Sequence, residues 1–317
     1  MEKTFQISPH EINSTQTVSG NFTVYKNIPT EDEQSFLEYY HLPKDVFYFG
    51  DLSPIAPRYE KIHNEQLGET IIFVLANVMH IGEKSMIEHR LESHVFILGK
   101  ERLFWFIKGS ESNLDKKVLE IHQKDIHSLQ SILIYAGLQS YTNFTKELNE
   151  QKNRIDKLNE QADQTTSNRI LLEVTETERN LIMLEHTIYS QEDAFEQLLK
   201  DENFLEKLNN DLLVHDIIWY NRQVKKLVHV YRDLFDAVSS LFSAIVSNNL
   251  NKLMKFLSSL SLILAASGFI AELWGMNTGG LLFKNHAYGT YIMILVALIA
   301  GLTMYIFLKN KKFFDDD

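Results

Sequence analysis

The tripeptide Gly275-Met276-Asn277 directly follows an apolar stretch near the C-terminus, and a second apolar stretch begins at Tyr288. Asparagine carries an amide that can both donate and accept hydrogen bonds. Two apolar spans joined by a short loop that opens with such a tripeptide are typical of a pore mouth. A membrane anchor alone would not need the tripeptide, so we predict that residues 275–277 form the mouth of a pore.

The two apolar stretches have the composition of membrane-spanning helices. A helix needs about 20 apolar residues to cross the core of a bilayer, and residues 288–308 provide such a stretch without a charged side chain. The first stretch, residues 256–271, contains serines and is followed by Glu272. We expect its polar side to face other helices or water, because an unpaired polar group in hydrocarbon is costly.

Lysines outside the two stretches indicate how the chain crosses the membrane. They are Lys252, Lys255, Lys309, Lys311 and Lys312. The loop between the stretches has only Lys284. Because positively charged flanks stay on the cytoplasmic side, we predict a multi-pass protein of the cytoplasmic membrane, embedded in the lipid bilayer, with both chain ends in the cytoplasm.

A stripe of small and polar residues leads back from Glu272 at helical spacing. In steps of three or four its members are Gly268, Ala265, Ser261, Ser258 or Leu257, Met254, Asn251, Ser247, Ala244, Ser240, Ala237 and Asp233. A helix with one bulky face and one small, polar face suits the lining of a channel in a ring of identical subunits. The alternative is a face for tight helix packing.

Glu272 lies on this stripe beside the predicted mouth. In a ring of subunits its carboxylates would attract cations. Its alternative interpretation is a single carboxylate at the membrane interface.

Residues before about 250 have the pattern of a water-soluble α+β domain followed by long helices. The predicted strands are residues 22–25, 46–49 and 70–75, a hairpin of 95–98 and 103–107, and a short helix covers 31–41. We expect Thr30 and Glu33 to form a capping box at the start of that helix.

From about Leu114 the chain lacks residues that interrupt helices. No proline follows Pro57, and no glycine lies between Gly137 and Gly268, which favours long helices. We predict an antiparallel pair of helices over residues 144–162 and 168–192, joined by a polar turn. A further helix is predicted from about residue 200 to Trp274.

The chain is therefore predicted to divide into four parts. These are a cytoplasmic α/β domain over residues 1–140, a stalk of long helices over 141–252, a two-helix membrane domain over 253–308 and a cytoplasmic tail over 309–317. The mean hydropathy of −0.18 agrees with a membrane region that is confined to the last part.

Composition excludes several classes of function. The 317 residues carry a formal net charge of −11, which argues against a nucleic-acid partner and suits a protein that concentrates cations. Without a cysteine, disulfides and thiolate metal sites are excluded. No nucleophile–base set, phosphate loop or metal-ligand cluster stands out, so we do not expect an enzyme.

The sequence resembles the CorA family of divalent-cation transporters. The resemblance rests on residues 246–257, 269–271 and 274–277, which keep the family's register without gaps, and on the upstream Tyr231-Arg232-Asp233. Gly-Met-Asn by itself is a short motif, but it is specific after one apolar helix and before a second terminal one. The N-terminal part agrees in architecture alone.

The resemblance implies a homopentamer with a large cytoplasmic funnel, in which the first span of each subunit lines the pore. Asn277 would then present its side-chain carbonyl to the waters of a hydrated cation, and Gly275 would allow the turn that holds it there. Asn251 would form a second polar ring at the cytoplasmic end. Met254 and Leu257 would form an apolar constriction that closes by dewetting.

Three departures from the family pattern leave the choice of cation open. Ala266 stands where many members have proline, Glu272 where glycine is common, and residues 278–287 contain no acidic side chain. Gly279-Gly280 after the motif is similar to the zinc-transporting ZntB branch. We predict transport of Mg²⁺, with Co²⁺ and Ni²⁺ as further cations. The alternative is Zn²⁺ transport coupled to protons.

No permanently bound cofactor is expected. The resemblance to the magnesium branch makes Asp216 and Asp233 candidate ligands for a regulatory cation between subunits, and their alternative role is that of solvated helix carboxylates. A protein of another class, a membrane-tethered scaffold or sensor, would use its soluble domain and would not need Asn277.

Overall fold

The computed structural model describes residues 2–8, 11–15, 20–47, 57–79, 86–108, 112–161, 168–284 and 286–311. The chain separates into two compact units, Met1–Ser239 and Ser240–Asp317. The predicted four-part division remains a prediction. The first unit contains a mixed sheet and long helices, and the second contains two apolar helices and the loop that joins them.

The described residues of the first unit form a seven-stranded sheet in the order β2-β1-β3-β7-β6-β5-β4. Its strands are β1 (Glu2–Ser8), β2 (Glu11–Thr15), β3 (Phe22–Lys26), β4 (Arg58–Asn64), β5 (Gly68–Val78), β6 (Leu91–Leu98) and β7 (Leu103–Ile107). β3 and β7 pair in parallel, and the other pairs are antiparallel. The predicted strands at 22–25 and 70–75 and the hairpin of 95–98 with 103–107 are confirmed.

Helices cover both faces of the central strands. Helix α1 (Thr30–Tyr39) packs Phe36 and Leu37 on the face that contains Val95 and Phe106. On the other face, the rings of Phe73 and Phe195 lie 4.8 Å apart. Every residue of β6 and β7 is buried, and most of them are apolar, as expected for strands that are covered on both faces.

Of the remaining helices, α2 (Ile87–Arg90) lies between β5 and β6 in the chain and the others follow the sheet. These others are α3 (Leu114–Ile121), α4 (Leu129–Gln161), α5 (Asn168–Leu198), α6 (Glu202–Leu208), α7 (Asp211–Gly275) and α8 (Gly289–Asn310). α4 and α5 run antiparallel, as bonds from Arg154 to Glu176 and from Gln191 to Ser140 show. This confirms the predicted pair. The predicted turn at 163–167 lies outside the described residues.

Two local predictions are wrong. Residues 46–47 belong to a 3₁₀ turn, Lys44–Phe47, rather than to a strand; residues 48–49 lie outside the described residues. Thr30 is the first residue of α1 rather than its cap, since the Pro29 carbonyl accepts from the Glu33 N–H and no side chain caps the helix. Both errors arise because the sequence patterns are ambiguous. A short apolar run can form a strand or a turn, and a capping pattern does not fix the first residue of a helix.

The helix predicted from about residue 200 is interrupted. Asp201 accepts a hydrogen bond from the Phe204 N–H at 3.2 Å and caps α6. Asn209 then adopts a left-handed φ of 46°, which asparagine tolerates better than most residues. Asn210 accepts from the Leu213 N–H at 3.1 Å and starts α7 anew. The pair Asn209-Asn210 was the sequence signal for this break.

A buried ion pair joins the end of α2 to α4. Both nitrogens at the end of the Arg90 side chain donate to the Glu147 carboxylate, at 2.5 and 2.6 Å, and Gln151 donates to the same carboxylate at 2.7 Å. Arg90 and Glu147 are almost completely buried. Removing one charge therefore leaves the other without compensation in the interior.

Glu147→Gln is expected to lower the free energy of unfolding by about 3–5 kcal/mol, because the Arg90 charge stays buried and unpaired. The matched control is Glu173→Gln, which removes an exposed partner of Arg169 and should cost less than about 0.5 kcal/mol. Urea denaturation of the detergent-solubilised full chain, followed by tryptophan fluorescence, measures both. Equal, small losses would contradict the structural role of the buried pair.

Candidate pore mouth and lining helix

The loop after α7 is fastened to the end of that helix by two side chains. The Trp274 indole N–H donates to the Leu282 carbonyl at 3.1 Å, and the Lys284 ammonium donates to the Met276 carbonyl at 2.6 Å. Gly280 and Phe283 have left-handed φ values of 88° and 61°. The loop is thus held by its own bonds, and the sequence reasoning did not identify Trp274 or Lys284 as its supports.

The three residues of the predicted mouth are exposed. Gly275 is the last residue of α7, and a left-handed φ occurs further along the loop, at Gly280. A Cβ at Gly275 would meet nothing within 4 Å. Within the described part of the chain, the Asn277 side chain makes no hydrogen bond, so its amide is free to contact a solute or solvent.

Helix α8 packs closely on one face of α7. A Cβ at Gly301 would lie 2.6 Å from the Ser267 hydroxyl oxygen and 3.8 Å from Ile263. The Ser267 hydroxyl donates to the Ile263 carbonyl at 3.1 Å. Gly301 therefore permits the close approach of the two helices, and Ser267 is the residue that requires a glycine there.

The predicted lining residues lie on a different face of α7. They are Asn251, Met254, Leu257, Ser258, Ser261, Ala265, Gly268 and Glu272, of which all but the half-buried Gly268 are exposed. The α7 residues that are least exposed in this stretch are Ser259, Ile263, Ala266, Ser267, Ile270 and Trp274. At about 3.6 residues per turn, the two sets occupy opposite faces, so α8 leaves the predicted lining uncovered.

Ser259 is a polar residue that the sequence reasoning missed. Its side chain is fully buried, and its hydroxyl has no hydrogen-bond partner among the described residues. It belongs to the packed face of α7 rather than to the exposed stripe. The sequence signal that could have placed Ser259 on the packed face is its position one helical turn before Ile263.

The candidate regulatory carboxylates lie on α7 within the first unit, where Asp216 is half-buried and Asp233 is exposed. Asp216 lies 3.7 Å from His215 and Asp233 lies 3.8 Å from His229, measured from a carboxylate oxygen to a ring nitrogen. In the described part of one copy, no group of three or more histidine, aspartate or glutamate side chains is placed to hold a metal ion. Neither aspartate is thus part of a complete site among the described residues of one copy.

Two helices of the described chain are long and apolar enough to cross a membrane. They are α7 and α8, and little of the apolar segment of either helix is buried. A soluble helix of that composition would be packed in a core. The positions of both helices agree with the two predicted spans.

Comparison with known proteins gives one family. The model for "CorA-like Mg2+ transporter protein" matches residues 26–312. The cobalt/magnesium transport protein CorA of Thermotoga maritima is 24% identical over 158 residues, which are 50% of this chain and 45% of that protein. The match to this curated relative therefore spans less than half of its length.

Solved structures show the same fold. The CorA magnesium transporter of Methanocaldococcus jannaschii has a TM-score of 0.70 at 11% identity, covering 97% of this chain and 96% of that one. Full-length CmaX has a TM-score of 0.70 at 11% identity, and the match covers 98% of this chain and 96% of that one. The cytoplasmic domain of ZntB from Vibrio parahaemolyticus has a TM-score of 0.60 at 13% identity, and the match covers 78% of this chain and 97% of that one.

Gly301→Ala is expected to destabilise the helix pair by about 1–3 kcal/mol, because the new methyl group overlaps the Ser267 hydroxyl. Adding Ser267→Ala should restore most of the loss, since the Ser267 Cβ lies 3.9 Å from the added atom. Thermal unfolding of the detergent-solubilised protein measures this. Val296→Leu, which enlarges an exposed position of α8, is the control. If the double variant is less stable than Gly301→Ala alone, the contact between Gly301 and Ser267 is contradicted.

Proposed function

The chain belongs to the CorA-like Mg²⁺ transporter family, and we propose that it conducts Mg²⁺ across the cytoplasmic membrane through a homopentameric pore with Gly275-Met276-Asn277 at its mouth. The observation that carries the proposal is the exposed stripe of α7 opposite α8, which ends beside the free amide of Asn277. Divalent-cation transport is the activity of the family, and the choice of Mg²⁺ and the pore are our proposal.

The proposed assembly into a ring of copies is supported by the polar residues of α7 that a single copy leaves uncovered. Asn251 and Glu272 are exposed polar residues near the two ends of the apolar stretch of α7, and polar groups in hydrocarbon require partners or water. A ring of identical chains turns these faces toward a common axis. Large apolar side chains elsewhere on α7 and α8 remain for lipid and for neighbouring copies. Helix packing alone would leave both polar groups without water.

The mouth suits a cation that keeps its waters. Mg²⁺ gives up its hydration shell reluctantly and prefers oxygen ligands. A ring of Asn277 amide oxygens would accept hydrogen bonds from those waters without removing them. The Glu272 carboxylates next to it add an attractive field, and binding stays weak enough for release.

The inner end of the proposed pore supplies the gate. Met254 and Leu257 are 65% and 59% exposed in one copy, so a ring of them would form an apolar constriction that excludes water when narrow. Asn251 follows as a polar ring on the cytoplasmic side. Asp216 and Asp233 are proposed to share a regulatory cation with a neighbouring copy.

The proposed orientation places both chain ends in the cytoplasm. Lys252 and Lys255 precede the apolar part of α7, and Lys309 and Lys311 end α8. The loop between the helices has Lys284, which is bonded to the Met276 carbonyl. The excess of lysine on one side favours that side as cytoplasmic. The four-part division of the chain fits the same orientation.

Zn²⁺ transport is the second candidate. The observation that favours it is the exposed Gly279-Gly280 turn, in which a Cβ at either residue would meet nothing within 4 Å. The loop also has no acidic residue to attract a hydrated Mg²⁺. The same pore would serve this cation, with a proton gradient as the driving force.

Uptake into proteoliposomes across a panel of Mg²⁺, Co²⁺, Ni²⁺ and Zn²⁺, with and without a pH gradient, tests the choice of cation. We expect Mg²⁺ flux that does not depend on the gradient, because hydrated Mg²⁺ matches the amide ring. Zn²⁺ flux that requires the gradient, without Mg²⁺ flux, would establish the second candidate instead.

Asn277→Ala should reduce Mg²⁺ flux by about tenfold or more, as expected when hydrogen bonds worth about 1.4 kcal/mol or more in total are lost. The pentamer should persist, as measured by size-exclusion chromatography with light scattering. Asn310→Ala, at the other end of α8, is the matched control. Unchanged flux in the Asn277 variant would contradict a role of its amide at the mouth, and absence of flux in the unmodified protein would favour the scaffold or sensor.

Glu272→Gln should lower the rate of Mg²⁺ entry roughly tenfold at low ionic strength, because a charged ring attracts cations to the mouth. The difference should shrink toward zero near 1 M salt, where the Debye length falls to about 3 Å. Glu272→Asp keeps the charge and is the control. A defect that is the same at all salt concentrations would show that Glu272 acts through structure rather than through its field.

A further inference from the structure

A cavity of about 350 Å³ lies within the first unit, and none of its lining residues is a proposed pore residue. It lies where β4, β5 and β6 meet the first turn of α4 and the short helix α6. Its size is within the range of small-molecule sites in proteins. The buried side chains of Ile71, Leu98 and Phe204 supply its apolar wall.

Two carboxylates at the cavity share one lysine of the protein. The Asp201 carboxylate accepts from the Tyr59 hydroxyl at 2.9 Å and pairs with Lys61 at 2.8 Å, and it also caps α6. Glu69 lies 3.6 Å from the same lysine. The hydrogen bond to Asp201 raises the pKa of Lys61, so this cation stays charged.

Two further lysines line the cavity without an acidic partner. Among the described residues, neither Lys100 nor Lys207 lies within ion-pair distance of a carboxylate. The Lys207 ammonium donates to the Lys100 carbonyl at 3.3 Å, which places it against the cavity wall. The cavity therefore has positive charge that the described protein groups leave uncompensated.

Gln130 gives an independent indication of a ligand. It is 6% exposed and lines the cavity, yet its side-chain amide has no hydrogen bond to a described residue. The amide therefore faces the open space of the cavity, where a ligand can bond to it. Gln130 also lies in the first turn of α4, a helix of 33 residues, whose N-terminal end carries partial positive charge.

We propose that this cavity binds a phosphate-bearing small molecule with an apolar or aromatic body, and that a nucleoside monophosphate is the chemical class. Lys100, Lys207 and the start of α4 would hold the phosphate, as lysines and helix N-termini commonly do. Gln130 would fix the orientation of the body through its amide, and the apolar wall would bury the rest.

The site is separate from the proposed transport function. Its residues lie before residue 208, and none of them belongs to α7 or to the loop after it. Binding can therefore be measured without cation flux. A failure of ligand binding leaves the pore proposal untouched, and a failure of transport leaves this site untouched.

Isothermal titration of the detergent-solubilised full chain, in buffer without divalent cations, tests the site with AMP, adenosine and inorganic phosphate as probes. AMP should bind at least tenfold more tightly than either fragment, because only AMP uses both the cations and the apolar wall. Absence of AMP binding would overturn the proposal. Inorganic phosphate binding as tightly as AMP would overturn the role of the apolar wall.

Variants locate the binding within the cavity. Lys207→Met and Gln130→Leu should each weaken AMP binding about tenfold with the thermal midpoint unchanged, whereas Lys146→Met, an exposed lysine elsewhere on α4, should have no effect. Lys207→Met should reduce the advantage of AMP over adenosine, and Gln130→Leu should leave phosphate binding intact. AMP binding that survives both cavity variants would place the ligand elsewhere and overturn the assignment.

Discussion

Hydrocarbon accepts an exposed apolar side chain but not an unpaired polar one, and this difference governs the second unit of the chain. Helix α8 covers one face of α7, where Gly301 admits the Ser267 hydroxyl at close range. One copy leaves the opposite face, with Asn251 and Glu272, exposed along the described helix. A ring of copies around water would satisfy these polar groups, which connects the packing of a single helix pair to a proposed ion path.

In the first unit, buried polar side chains form hydrogen bonds with other side chains of the same unit. Because helices cover both faces of its sheet, polar groups on the central strands must bond to each other. The Trp105 indole donates to Nδ1 of His94, so the proton of that ring is on Nε2, which donates to Glu92. Asn77 and Ser112 donate to the same carboxylate oxygen. This network gives His94 a structural role.

Periodicity predicted much of the fold. Alternating and continuous apolar runs located β3, β5 and the hairpin of β6 with β7, and the absence of helix breakers located α4, α5 and α7. The errors occurred where local signals compete. The apolar pair Val46-Phe47 fits a strand or a 3₁₀ turn. Asn209 could continue a helix or leave it, and in the structure it ends α6 in a left-handed conformation.

The sequence by itself determined the two apolar helices, the family, and the spacing that gathers small and polar residues on one side of α7, because these depend on residue type and helical period alone. Tertiary structure decided which side α8 covers, that Trp274 and Lys284 fasten the loop, and that Gly280 adopts a left-handed φ. It also brought Gln130, Lys100 and Lys207 to one cavity. Contacts between residues distant in the chain arise from packing, and no local pattern of residue types encodes them.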